Sequence, residues 1–300
     1  MKKMRPIFFI FLFLTGCQFQ VKPINWSVVE VGSEKIVVGN YVDEKRPGSL
    51  LAKVTDLDSY IKEVNRFTSF SVSSDNNIII GMVPERNNPL YSQGSPAFFD
   101  RQNKNFFACT RAPTFWDVTM YERDDEGIHV LGNTFEGALI YNLSECKVDR
   151  IIIEKDENNP IRGVAYNNQI KMIAIGVDIE RLQPMVILVN PTDLKQTHLT
   201  VGKFPNWSPN GQYLAYMKNE TTLGLYNFIT NIEDTYSLPE GRYFSEPFFA
   251  WGKDNVKILF EAKIEPSDKC NYQVLYEFDT VTKMFYSLPF SGVNPIWFYE

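Results

Sequence analysis

The sequence predicts an all-β fold, a six-bladed β-propeller of four-stranded antiparallel blades whose ring is closed by pairing of its N- and C-terminal strands. Three observations lead there. A self-similarity of about 45 residues runs from residue 24 onward, in the range of propeller blades. Each period holds four short apolar strands with polar turns between them. Sustained helical periodicity is missing.

The stretch FPNWSPNGQYLAYM, Phe204 to Met217, is the clearest copy. Ser208-Pro209-Asn210-Gly211 carries the residues a type I turn favours, with Pro supplying its fixed φ at the second position. After it, Tyr213, Ala215 and Met217 alternate with Leu214 and Tyr216, the pattern of a strand, and PNW before it reads as the paired strand. Equivalent starts fall at Ile24, Thr68, Pro113, Pro160, Pro205, Pro247 and Pro295, spaced 44, 45, 47, 45, 42 and 48 residues apart. The later halves of the periods match as well: GALIYNLSECKVDRIII, MVILVNPTDLKQTHLTV, TLGLYNFITNIEDTYSL and QVLYEFDTVTKMFYSL each place a turn between two strands. The first period is the most divergent, with room for a loop and a short helix in VDEKRPGSLLAKVTDLDSYIKEVN. Pro295 opens a seventh copy that has only NPIWFYE, which is expected to pair beside residues 25 to 40 and so remove the open sheet edges. A β-sandwich also needs many short strands, but it does not need a 45-residue repeat.

The motif resembles the β-propeller repeat of the TolB-like family, in which a Pro-x-aromatic-Ser-Pro-Asp-Gly pattern precedes an alternating strand. SVSSDNN, AYNNQIK and AWGKDN are eroded copies without Pro-Asp-Gly. The resemblance implies the fold over residues 24 to 300 and says little about activity. It also implies protein interaction in a bacterial envelope, although the α/β domain that precedes the propeller in TolB is absent.

The N-terminus carries a separate signal. Lys2, Lys3 and Arg5 precede an apolar run from Ile7 to Leu14, the layout of a secretory signal. A membrane-spanning helix needs about 20 apolar residues. Leu14-Thr15-Gly16-Cys17 then resembles the lipobox of bacterial lipoproteins, which implies cleavage before Cys17 and its lipidation, palmitate included. An ordinary signal peptide with a chance Cys is the alternative. Gln18, where retained lipoproteins carry Asp, favours the outer membrane, facing the periplasm. The expected organisation is residues 1–16 as signal peptide, 17–23 as lipidated tether and 24–300 as propeller.

Loss of residues 1–16 takes the formal charge from -6 to -9. Nucleic acid is a poor partner for such a chain, because phosphate binding needs Lys and Arg. Contact with the membrane is expected through the lipid anchor only. Cys109, Cys146 and Cys270 remain in the mature chain. One disulfide, Cys109 with Cys146 among the pairings, or three buried thiols fit this count equally.

Catalytic motifs are absent from the sequence: there is no Gly-x-Ser-x-Gly elbow, phosphate loop, Cys-x-x-Cys pair or EF-hand spacing. No cofactor, metal site or catalytic residue is expected. The two histidines, His129 and His198, read as partly exposed residues at strand ends, and the acidic run Glu122 to Glu126 as a solvated turn. Trp26, Trp207, Trp251 and Trp297 fall at or near the repeat's aromatic position and are expected to pack between blades. Trp116 sits beside that position and is the candidate ligand contact. The expected function is a non-enzymatic protein-interaction module with an envelope protein partner. The competing expectation is a carbohydrate- or peptide-binding protein or enzyme using the central channel.

Overall fold

The structure, a computed structural model, describes residues 26–31, 34–43, 53–55, 67, 69–72, 77–83, 94–154, 156–180, 183–244, 249–264 and 273–298. The expected signal peptide, residues 1–16, together with Cys17, Cys270 and most of the first period's stretch with room for a loop and a short helix, lies outside the described residues.

The chain forms a β-propeller of four-stranded antiparallel blades. Its first strands are β1 (Trp26–Val31), β2 (Glu34–Asp43) and β3 (Lys53–Thr55). A four-stranded sheet follows from β4 (Ser69–Val72), β5 (Ile78–Val83), β6 (Ser95–Asp100) and β7 (Asn105–Ala108). The next is built from β8 (Phe115–Asp124), β9 (Gly127–Thr134), β10 (Gly137–Asn142) and β11 (Lys147–Glu154). A third consists of β12 (Ile161–Asn167), β13 (Met172–Ile179), β14 (Gln183–Val189) and β15 (Gln196–Val201). A fourth consists of β16 (Lys203–Trp207), β17 (Tyr213–Asn219), β18 (Thr222–Asn227) and β19 (Ile232–Ser237). The last strands are β20 (Arg242–Tyr243), β21 (Ala250–Trp251), β22 (Lys257–Ile264), β23 (Gln273–Asp279) and β24 (Met284–Phe298).

Among the described residues the expected six separate blades appear as five sheets, the fifth being eight-stranded, in the order β20-β22-β23-β24-β2-β1-β3 with β21 beside β22. The cause is the 15-residue β24. Its first half pairs with β23, from Met284 opposite Asp279 to Ser291 opposite Val274. Its second half pairs with β2, from Phe290 opposite Asp43 to Phe298 opposite Lys35. One continuous strand thus carries hydrogen bonds to both ends of the chain. The Pro-Ile-Trp segment lies where its repeat position predicts, with Trp297 opposite Ile36.

Burial explains the sequence pattern. Middle strands are covered on both faces, so β10 is buried at all six positions and reads as the unbroken apolar run GALIY before Asn142. Fourth strands form the outer edge and are mostly exposed, as in β15 and β19. Alternation divides each middle strand between two neighbours: Val130, Leu139 and Tyr141 join the core shared with Ile78 and Ile80 of the preceding sheet. Leu131, Ala138 and Ile140 join the core shared with Ile173 and Ile175 of the next. The same holds at the join, where Val29, Ile36 and Val38 of β1 and β2 pack with Leu259 and Leu275 of β22 and β23.

Trp207 is buried with Ala165, Ala174 and Val186 of the preceding sheet. Trp251 and Trp297 repeat the placement, and each indole Nε1 donates to the backbone carbonyl of the preceding unit's first strand, at Asn206 (3.1 Å) and Ala250 (3.2 Å). Trp26 has no described side chain. In the Ser-Pro-Asn-Gly turn, Gly211 N donates to Ser208 O at 2.9 Å, and the buried Ser208 hydroxyl accepts from Tyr213 N. Asn167 of the preceding sheet donates to Ser208 O, and Asn255 of the following unit accepts from Asn210 N. The turn is an inter-blade latch, which is why its chemistry persists.

Candidate functional site

The first strands of successive sheets lie side by side, β8 with β12 and β12 with β16. Their starts share one end of the propeller with the turns that join second to third strands. This end gathers the site.

Arg162 near the start of β12 and Lys203 at the start of β16 are brought together by two glycines. Gly163 adopts φ +97, and a Cβ there would lie 3.1 Å from Phe204 Cα. At Gly176 in β13 a Cβ would lie 2.5 Å from Arg162 O, 3.0 Å from Phe204 N and 3.1 Å from Lys203 Cα. A side chain at Gly176 would therefore push the Lys203-Phe204 backbone away from Arg162. Phe204 has φ 54, a left-handed conformation that costs a non-glycine residue about 1–3 kcal/mol. The strain coincides with a bulge, since Lys203 pairs with Met217 and the next register pair is Asn206 with Ala215.

These residues line a pocket of about 330 Å³. Phe204, the buried Met217 and Phe244, and Tyr243 give it an apolar body. Arg162, Lys203 and Glu220 supply charge at its wall and rim. Arg162 is oriented by Asp178, to which its Nε donates at 2.7 Å. The half-buried Lys203 has no ion pair among the described residues.

Trp116, near the start of β8, is half-buried and packs on Phe135 of the β9–β10 turn, ring centroids 4.4 Å apart. Phe135 is 48% exposed. The candidate ligand contact thus stands at the same end as the pocket, outside the inter-blade cores. Deeper in β8, the partly exposed Asp117 sits against β12 and accepts from Val164 N at 3.4 Å. Surrounding protein strips most of its hydration, and this desolvation outweighs its backbone hydrogen bonds, pushing its carboxyl up to about 6.

The two histidines do not come together. His198 is exposed on the outer strand β15. His129, expected at a partly exposed strand end, is instead buried inside β9. Its Nδ1 lies 2.6 Å from Asp149 of β11 and its Nε2 3.1 Å from Asp124. Burial disfavours the imidazolium, but the two carboxylates outweigh it and raise the histidine above its ordinary 6.5. Within the acidic run, Asp124 also accepts from Glu126 N and Gly127 N, closing the turn, while Glu122 pairs with Lys171.

A disulfide joins Cys109, just after β7, to Cys146 in the β10–β11 turn, with the Cα atoms 5.4 Å apart. It links the outer edge of one sheet to the next. Cys17, the lipidation candidate, lies outside the described residues. Among the described residues no group of three or more His, Cys, Asp and Glu side chains is arranged to hold a metal ion.

Sequence reasoning found Trp116 and missed the pocket. A signal was present: in PIRGV and GKFPNW a cation stands at the start of a first strand in consecutive repeats. Its meaning depends on Gly176, which only the fold places beside Lys203.

No protein-family model matches the chain, and no curated protein matches it. Solved structures match its fold. TolB from Acinetobacter baumannii aligns with a TM-score of 0.56 at 12% identity over 91% of this chain. The chain spans 65% of that protein's length. Oligogalacturonate lyase from Vibrio parahaemolyticus aligns with a TM-score of 0.51 at 12% identity, over 84% of this chain and 74% of its own. An oligogalacturonate lyase in complex with manganese aligns with a TM-score of 0.50 at 10% identity, over 89% and 72% respectively. At such identities the likeness is one of fold alone, an architecture that TolB shares with oligogalacturonate lyases.

Proposed function

We propose that the protein is a lipid-anchored envelope propeller that acts as a non-enzymatic protein-interaction module, using the end that carries Trp116, Phe135 and the Arg162–Lys203 pocket. One observation carries the reading. Exposed aromatic surface and half-buried charge from three consecutive sheets meet at one end, the mixture that anchors protein contacts. The fold shared with TolB supports an envelope setting, and the lipobox at Cys17 supports anchoring there, with Gln18 favouring the outer membrane.

The eight-stranded sheet is read as two blades that share β24, giving six. In support, β1 and β2 pack face to face with β22 and β23 as separate blades do.

A photo-reactive amino acid at Phe135, introduced in native cells, is expected to crosslink a defined envelope protein. Trp116→Ala should reduce that crosslink, whereas Ile229→Ala on an exposed β18–β19 turn should leave it intact. Equal capture from position 229 would defeat the assignment of this end. Loss of palmitate labelling in Cys17→Ala tests the anchor.

A second reading, channel catalysis, rests on Asp117, a carboxyl that desolvation raises to about 6, which brings its proton exchange closer to neutral pH than that of an ordinary aspartate. Loss of a carbohydrate- or peptide-cleaving activity in Asp117→Asn is its test.

A further inference from the structure

We propose that the pocket between β12, β16 and β20 is a binding site for a monocarboxylate with an apolar body about the size of one hydrophobic amino-acid residue. The inference rests on the reading of this end of the propeller as the binding face, and it names the chemistry of that face.

Charge points to the carboxylate. Arg162 spends Nε on Asp178; among the described residues neither Nη has a partner, and Lys203 has no ion pair. A half-buried ammonium without a counter-ion has lost part of its hydration, which an incoming anion would replace. The guanidinium offers two parallel donors, a geometry that suits a carboxylate. Asp178 offsets one of the two positive charges, and Glu220 at the rim disfavours a second negative charge on the ligand. With the chain itself at -6, polyanions are further disfavoured.

The walls point to the apolar body. Phe204, Met217, Tyr243 and Phe244 form a surface against which an aromatic or branched side chain loses its hydration. A pocket of about 330 Å³ is at the small end of ligand sites. It has room for one residue, not for an extended chain. The backbone is preorganised as well. Gly163 and Gly176 permit the close approach, and Phe204 lies in the left-handed region at φ 54. Strain of this kind gathers at binding sites.

Such a ligand is either a free carboxylic acid or the C-terminal residue of a polypeptide. Titration calorimetry on the purified full-length protein with N-acetyl-phenylalanine, its carboxamide, and a glycine-rich hexapeptide ending in Phe as the free acid would decide. At least one acid is expected to bind about tenfold or more tightly than the neutral carboxamide, the worth of a charged hydrogen bond, with the preference shrinking as salt rises. Binding of the hexapeptide at least as tightly as N-acetyl-phenylalanine assigns a polypeptide terminus; binding of N-acetyl-phenylalanine with exclusion of the hexapeptide assigns a free acid. Lys203→Met should abolish the acid preference while the far-ultraviolet spectrum and melting temperature stay those of the parent. Gly176→Ala should weaken both acids, as it separates Lys203 from Arg162. Equal affinity for acid and carboxamide, no binding of any probe at millimolar concentration, or an unchanged preference in Lys203→Met overturns the proposal. If these fail while the crosslink from Phe135 persists, the protein-interaction reading stands and only the pocket's chemistry is lost.

Discussion

At the scale of single residues, Asp117 sets a cost that the fold tolerates. Its carboxyl is pushed up to about 6 from an ordinary 3.8, chiefly by desolvation. Between about pH 4 and about pH 6 the folded chain holds a proton that the unfolded chain has released, so stability falls as pH rises through that window and levels off above it. Asn at this position keeps an acceptor for Val164 N and carries no charge. Asp117→Asn is therefore expected to stabilise the protein by up to about 2 kcal/mol at pH 7 and to flatten the melting temperature between about pH 4 and about pH 6. A variant that melts at or below the parent at pH 7 would contradict the desolvation argument. Sequence gives no hint of this residue. It is one acid in an alternating strand, and the N–H that meets it is 47 positions away, whereas Trp207 announces its burial by recurring as Trp251 and Trp297 at the repeat spacing.

At the scale of elements, His129 ties the β8–β9 hairpin to the outer strand β11 through Asp124 and Asp149. The reading of Glu122 to Glu126 as a solvated turn holds only for Asp125 and Glu126, because Glu122 to Asp124 belong to β8; a turn needs only local residues, and Asp124 closes it by accepting from Glu126 N and Gly127 N. The reading of His129 as partly exposed does not hold, because its second partner belongs to an outer strand whose register against β10 shifts between Ala138 and Leu139 and again between Ile140 and Tyr141. Bulges shift which face a residue presents, and periodicity alone does not locate them. With the imidazole raised above 6.5 in the folded chain, the clamp's contribution is fully present below that value and is lost as pH rises through the raised one. His129→Gln should therefore lower the melting temperature at about pH 6 and remove part of its fall as pH rises above 6.5. Parallel pH profiles for variant and parent would show that the clamp carries no charge.

At the scale of the whole molecule, stability depends on closing the ring, and the closure was legible at both ends of the sequence because Pro295-Ile296-Trp297 repeats the Pro-x-aromatic start found at Pro113, Pro205 and Pro247, and Ile24-Asn25-Trp26 keeps its aromatic. What sequence did not convey is that the closing strand is continuous with the strand before it, so that β24 serves two partners. Among the described residues buried clusters lie between successive layers, and one of them, holding Trp297, Phe290 and Leu288 with Val29, Ile36 and Val38, joins the last strands to the first. Removing the chain after Gly292 deletes Trp297, its bond to Ala250 O and the pairing of Val293 to Phe298 with β2. The lost indole alone is worth about 3–5 kcal/mol, against a total of about 5–15 kcal/mol for a domain. The deletion also bares the edge of β2, which then offers unpaired backbone groups to another copy. The truncated protein should unfold at a much lower temperature and self-associate, and Trp297→Ala in the full chain should show the first effect without the second. An unchanged melting temperature after truncation would mean that the first and last layers hold without the strand that joins them.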